Sequence, residues 1–198
     1  MAEPDPMRLS LLSTPPSGWE RVPVLAVGAV PSGMGAAELY LLAEADDGTR
    51  LRIHWYGGVV ARVYQEAAWW GRWIVLGCGE AAYLIDPRSL AVRTIPLPFY
   101  FQKIHAGDEY LLLLSGSGIT RIGPSGEVEW ENPHVAVDGI TIGDVEDGVI
   151  EGDAEMDPPG GWVPFRVDLA TGRLLERADP SPPDPDEVPA EPGRPRQG

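Results

Sequence analysis

The sequence predicts an all-β fold of repeated antiparallel hairpins, and three observations carry that reading. Gly (24) and Pro (21) are abundant and fall mostly between short apolar runs, the punctuation of strands joined by turns. Several runs alternate apolar and polar residues, while others are apolar throughout, as half-buried and fully buried strands require. A strand followed by a polar turn also recurs three times at a spacing near 40 residues.

Residues 1–18 are expected to form a flexible N-terminal arm, because Pro4, Pro6, Pro15 and Pro16 interrupt regular structure. The single repeat domain is expected over residues 19–177. Its first runs are Val22 to Val30, Glu38 to Ala45 and, after Asp46-Asp47-Gly48, Arg50 to Tyr56. In the last of these Leu51, Ile53 and Trp55 share one face, as one covered side of a sheet demands. Gly57-Gly58 reads as a tight hairpin turn into Val59 to Tyr64. Gln65 to Trp70 is compatible with one helical turn, closed by Gly71. Residues 178–198 hold seven prolines and almost nothing apolar, so a disordered tail is expected there.

The centre of the chain is more regular. Trp73-Ile74-Val75-Leu76 and Tyr110 to Leu114 are continuous apolar runs, each expected to be buried on both faces. A Gly-containing turn follows each, then a second strand (Tyr83 to Ile85, Thr120 to Ile122) and a polar turn (Asp86 to Ser89, Gly123 to Gly126). Phe165 to Asp168 with its turn through Gly172 repeats the unit. Equating Ile85, Ile122 and Val167 gives spacings of 37 and 45 residues. Such a period, with three or four strands per unit, describes the blades of a propeller. There is room for about four units, so a partial or small propeller-like stack is expected, with an irregular β-sandwich as the alternative.

The formal charge is −15, and the two terminal segments carry only −4 of it, so the acidity belongs to the folded part. Such a field disfavours nucleic acid and anionic membranes, and favours a protein partner with a basic surface. Cys78 is the only cysteine, which leaves no intrachain disulfide and no cysteine-based zinc site. No run reaches membrane-spanning length and no signal-peptide core is present, so a cytoplasmic location is expected.

Residues 83–90, 120–127 and 165–173 resemble the hairpins of WD40 and quinoprotein-type propeller repeats, in which an apolar strand ends in Asp or Gly before a Thr-Gly or Ser-Gly turn. The chain has no Trp-Asp pair and no tryptophan-docking repeat, so the resemblance implies the fold and not a quinone cofactor. A second stretch, Ala136-Val137-Asp138-Gly139-Ile140 with Val149 to Trp162, is similar to a family of uncharacterised bacterial proteins. That likeness implies a bacterial source and no activity.

Familiar catalytic patterns fail on inspection. Gly116-Ser117-Gly118 has Arg121 where a dinucleotide fingerprint needs a third Gly, and a strand rather than a helix follows. Gly123-Pro124-Ser125-Gly126-Glu127 lacks the last Gly of a nucleophile elbow and joins two strands. His54, His105 and His134 have no metal-ligand spacing. Cys78 beside a buried strand reads as a small core residue rather than a nucleophile. No catalytic residue, metal or cofactor is therefore expected.

Two features remain as candidate partner-binding sites. Asp138 to Asp157 holds eight acids and no Lys or Arg, and Glu151, Asp153, Glu155 and Asp157 recur with period two. On a strand these four carboxylates share one face, with Ile150, Ala154 and Met156 on the other. That face is a solvated surface, a cation site or a dock for a basic protein; the spacing does not fit an EF-hand loop. Trp69 and Trp70, beside Trp73, are either core aromatics or an exposed anchor of the kind that dominates binding hot spots. The expected function is a non-enzymatic protein-binding module with an acidic surface, for example a bacterial immunity or neutralising protein. The alternatives are a metal-assisted hydrolase using the acidic segment and a structural module of a larger assembly.

Overall fold

The computed structural model describes residues 7–15, 17–33, 35–57, 64–156 and 161–178. The turn expected at Gly57-Gly58 with most of the strand after it, Asp157, and the tail beyond residue 178 lie outside the described residues.

Sixteen strands and no helix are found among the described residues, arranged as four four-stranded sheets. The first sheet is built from β1 (Arg8–Leu12), β2 (Val24–Gly28), β3 (Leu39–Glu44) and β4 (Arg50–Tyr56), in the spatial order β1-β3-β4-β2. Its β2–β4 pair is parallel, and all other pairs among the described residues are antiparallel. The second sheet is a meander of β5 (Gln65–Trp70), β6 (Trp73–Cys78), β7 (Ala81–Ile85) and β8 (Val92–Pro96). The third runs β9 (Phe101–Ala106), β10 (Leu111–Ser115), β11 (Ile119–Ile122) and β12 (Val128–Asn132). The fourth runs β13 (Gly139–Glu146), β14 (Val149–Glu155), β15 (Trp162–Asp168) and β16 (Leu174–Arg177).

The sheets stack face to face in chain order, and their first strands meet: β1 with β5, β5 with β9 and β9 with β13. Three apolar cores fill the three junctions. Leu41, Ile53 and Trp55 meet Ile74, Leu76 and Ile85 between the first and second sheets. Trp73, Val75 and Leu84 meet Phe101, Leu111 and Leu113 in the next junction. Leu112, Leu114 and Ile119 meet Ile150, Phe165 and Val167 in the last. Among the described residues no apolar cluster joins the fourth sheet to the first. The result is an open, propeller-like stack of four blades, as the hairpin repeat predicts.

Burial follows sequence pattern strand by strand. Every residue of β6 and β10 is buried, because these strands sit in sheets covered on both sides. In β4 and β15 burial alternates residue by residue, because each strand sends one set of side chains into a core and the other set away from it. The equated residues Ile85, Ile122 and Val167 do occupy one structural position, near the end of the third strand of their sheets. The sequence places that strand second; an earlier strand (β5, β9 or β13) precedes the apolar run in each case.

Two expectations are corrected. Arg8–Leu12, within the segment expected to be a flexible arm, is strand β1, paired in antiparallel register with β3 from Arg8↔Glu44 to Leu12↔Tyr40. Leu9 and Leu11 pack against the first core, and that alternation outweighs the flanking prolines. Gln65–Trp70 is strand β5 and not a helical turn, held by pairing from Gln65↔Cys78 to Trp70↔Trp73. Tertiary pairing decides such short, locally ambivalent segments.

Polar ties cross the junctions between sheets. Glu66 Oε2 accepts the Ile104 N–H at 2.8 Å, and Gln102 Oε1 accepts the Ile140 N–H at 3.0 Å. Glu66 and Gln102 are each the second residue of a first strand, so a single device recurs in successive blades. Three indole N–H groups reach forward in the same way, Trp70 to Gly107 O (2.9 Å), Trp73 to Pro124 O (3.4 Å) and Trp130 to Leu169 O (2.9 Å).

The turns after β7 and β15 are built on Asp. Asp86 is 4% exposed; its Oδ1 accepts the N–H groups of Arg88 (2.9 Å) and Ser89 (3.4 Å), and Oδ2 accepts the Arg72 guanidinium. Burial pushes this carboxyl up, but the bonds from Arg88, Arg72 and Ser89 outweigh it and hold the group below its ordinary value. Asp168 repeats the arrangement, accepting the N–H (2.8 Å) and hydroxyl (2.6 Å) of Thr171.

The two-sided burial of β10 gives the first prediction. Leu112 and Leu113 belong to different cores, so Leu112→Ala and Leu113→Ala should each cost about 2–5 kcal/mol in denaturant unfolding. Each variant opens a different core, so the double variant should lose more than either single one. A loss in one variant only would mean that one side of this sheet is uncovered.

The second prediction follows from Asp86. Its carboxyl is depressed in the folded state, so its contribution is fully present above the ordinary carboxylate pKa of about 3.9 and fades as pH falls through the folded value. Asp86→Asn should therefore lower the thermal midpoint at pH 6, and the gap to the parent should narrow towards pH 2.5. A gap independent of pH would show that the ionised form is not what the turn uses.

Candidate functional site

The acidic row lies where a period-two pattern places it. β14 pairs with β13 on one side and β15 on the other, and Ile150 and Ala154 enter the core with no exposed surface. Met156 packs beside them, while Glu151 and Asp153 stand exposed and Glu155 half-buried on the opposite, outward face. Asp157 lies outside the described residues. The neighbours in register complete the surface. Glu151 faces Asp144 and Arg166, Asp153 faces Thr141 and Pro164, and Glu155 faces Gly139 and Trp162.

A slip of register between Ile142 and Asp144 turns Asp144 outward, with Glu146 beyond it. Glu176 joins from β16. Six carboxylates of the described residues therefore share the outward face of this sheet, and the one cation among them is Arg166. Its Nε lies 2.9 Å from Glu151 and its Nη1 3.9 Å from Glu176. Same-side neighbours along a strand are about 6.5–7 Å apart, so like charges follow one another along the row, and Arg166 offsets the charge of Glu151 and, more distantly, of Glu176.

Trp162 is the aromatic of this face, and sequence reasoning passed over it. It is 46% exposed. Its ring lies over Gly139, where a Cβ would come within 2.9 Å of the indole and 3.2 Å of Glu155 Oε2. The glycine gives the ring a flat seat among carboxylates. Trp70, by contrast, is 6% exposed in the core between the second and third sheets, with its N–H bonded to Gly107. That burial removes it as an anchor on the surface. Trp69 is half-buried against the first core. Adjacent residues of a strand point to opposite faces, and both faces of the second sheet are covered.

The remaining chemical candidates resolve into structural roles. Cys78 is fully buried, and burial drives its thiol far above the ordinary value, which suits packing and not nucleophilic attack. His54 lies on the outward face of the first sheet, edge-on to Tyr40 with ring centroids 4.7 Å apart. Burial first, and then the Arg52 charge, lower its pKa. His105 stacks on Tyr110, and His134 donates its backbone N–H to Asn132 Oδ1. Among the described residues no group of three or more His, Cys, Asp or Glu side chains converges on a point where a metal ion could be held. The turn from Gly123 to Gly126 joins β11 to β12, with Gly126 at φ +81° donating to Gly123 O at 2.8 Å.

One concavity was not foreseen. A groove of about 730 Å³ runs across the first strands, lined by Tyr64, Glu66, Lys103, His105 and Thr141, with Trp162 at its rim. Its charges are largely engaged, since Glu66 lies 3.6 Å from Lys103 and also holds the Ile104 N–H. The lining comes from three sheets far apart in sequence, and no local motif announces it.

No helix among the described residues is long and apolar enough to cross a membrane. No protein-family model matches the chain, and no curated protein matches it. Among solved structures it is similar to AztD of Citrobacter koseri, at 15% identity and a TM-score of 0.43, over 72% of this chain and 42% of AztD.

Proposed function

We propose that this chain is a protein-binding module that docks basic surfaces on the outward face of its fourth sheet. One observation carries the reading: six carboxylates and an exposed tryptophan share a single face, with one arginine among them. Two physical effects make that arrangement a dock. A single-sign field speeds encounter with a basic partner and selects against an acidic one. An aromatic ring seated on Gly139 at one end of the row supplies apolar area at small entropic cost, as binding anchors do. Covering, and so neutralising, the basic surface of a partner is one concrete form of this role.

Poly-L-lysine is a suitable probe, because it presents charge and no fold. Calorimetry should show the parent binding it, with affinity falling as salt rises. Asp153→Asn with Glu155→Gln should weaken binding several-fold and leave the thermal midpoint unchanged or slightly higher, since removing two like charges from one face lessens their mutual repulsion. A charge-matched control, Asp108→Asn with Glu109→Gln in the β9–β10 loop, should bind almost as the parent does. Equal losses in both pairs would reduce the row to a share of the net charge and sink the proposal.

A further inference from the structure

We infer that a second cavity, at one end of the junction between the first and second sheets, binds an organic cation with a quaternary ammonium head. The cavity is about 340 Å³ and is lined by Trp55, Tyr56, Tyr83, Tyr100, Glu80 and Cys78, with small residues between them. It shares no residue with the acidic face of the fourth sheet, so the inference does not rest on the protein-binding reading.

The aromatic side chains come from separate elements. Trp55 and Tyr56 end β4, Tyr83 lies in β7, and Tyr100 immediately precedes β9, while Glu80 sits in the turn from β6 to β7. Backbone bonds hold these ends together, from Phe101 N–H to Gly79 O (2.7 Å) and from Ala29 N–H to Tyr56 O (2.7 Å). The Trp55 indole N–H donates to the Tyr83 hydroxyl at 3.3 Å, which fixes those two side chains against each other. The Tyr100 hydroxyl donates to Asp138 Oδ1 at 2.8 Å, and its ring stacks with Tyr64 at a centroid distance of 5.9 Å. Gly57 packs directly on the Trp55 ring, where any Cβ would overlap it, so that position puts no side chain into the cavity. Three of the four aromatic groups are thus set in place before a ligand arrives, which lowers the ordering cost of binding.

The chemistry of the lining selects the ligand class. Among the described lining residues four are aromatic, one is a carboxylate and none is Lys, Arg or His, so nothing there attracts an anion. A ligand rich in hydroxyl groups meets few open donors, since the Trp55 N–H is engaged by Tyr83 and the Tyr100 hydroxyl by Asp138. Burial pushes the Cys78 thiol and the Tyr83 phenol up, so neither ionises at neutral pH and Glu80 is the one charge of the described lining. Aromatic groups around a carboxylate suit a cation that is itself apolar. A quaternary ammonium spreads its charge over alkyl groups, loses little hydration on entry, and gains both contact area and attraction to π electrons. The volume is near the lower end of the roughly 300–1,000 Å³ typical of ligand pockets, as a small head group requires. The net charge of −15 adds a field that concentrates cations around the chain.

Choline is the probe, and the alcohol in which a tert-butyl group replaces its trimethylammonium is the neutral isostere. In calorimetric or NMR titrations at constant sodium chloride, the parent should bind choline about ten-fold more tightly than the isostere. Tyr56→Phe keeps the ring and should bind as the parent does. Tyr56→Leu keeps an apolar side chain without π electrons and should lose much of the preference for choline. Glu80→Gln should weaken choline several-fold and leave the isostere unchanged. A peptide carrying trimethyllysine presents the same head group on a protein side chain. Tighter binding of that peptide would identify the source as a modified protein, and tighter binding of choline a free small molecule; either result supports the site.

Circular dichroism establishes that each variant is folded; if Tyr56→Leu does not fold, the preference of the parent and the response of Glu80→Gln decide. Equal affinity for choline and its isostere would reduce the cavity to an apolar one and overturn the inference. So would a parent that binds no choline in the millimolar range, or choline binding that Tyr56→Leu and Glu80→Gln both leave unchanged. Asp153→Asn with Glu155→Gln should bind choline as the parent does, so this site and the dock for basic surfaces stand or fall separately.

Discussion

The two middle sheets have no polar face, and the rest of the molecule is arranged to cover them. β6 sends Ile74, Leu76 and Cys78 to one side and Trp73 and Val75 to the other, and β10 divides its four leucines between two cores in the same way. A sheet of this kind is stable only as the filling of a stack, because each apolar face left in water costs about 25 cal/mol per Å². Covering it on both sides demands a sheet before it and a sheet after it. Those two outer sheets then need only one apolar face each, and their alternating strands supply it.

Stacking by broad faces leaves a problem at the centre, where the first strand of each sheet presents an unpaired edge. Exposed edges invite pairing with other chains, and natural sheets blunt them. Here the blunting is done by side chains of the preceding blade. Glu66 and Gln102 occupy equivalent positions and each takes an edge N–H of the next first strand. The indoles of Trp70, Trp73 and Trp130 make analogous bonds to backbone carbonyls of the following blade. These ties are directional where the apolar cores are not, so they set how far each sheet is turned relative to its neighbour.

The polarity of the stack sorts the side chains that the cores leave out. In the two end sheets these residues lie on the outward faces. On the fourth sheet these are carboxylates with Trp162 beside them, and on the first they are Arg8, Glu44, Arg50 and Arg52 with Tyr40 and His54.

Period and polarity are local properties, and they were legible in the chain as written. The alternation of Leu51, Ile53 and Trp55 marked a sheet covered on one side, and the unbroken runs at Trp73 and Leu111 marked sheets covered on both. The recurrence of Ile85, Ile122 and Val167 marked one position in three successive blades. The period of Glu151, Asp153 and Glu155 put three carboxylates on one outward face before any partner strand was known, because side-chain direction in a strand depends on nothing but parity. Arg8–Leu12 could not be found in this way, since a five-residue strand flanked by prolines exists only by virtue of its pairing with β3. The separation of Trp70 from Trp162 also required the stack. Both are aromatic residues in strands, and only the presence or absence of a neighbouring sheet decides which is buried. The groove across the first strands belongs to the same class. It gathers residues from separate strands, and the contacts that gather them form only once the sheets have packed.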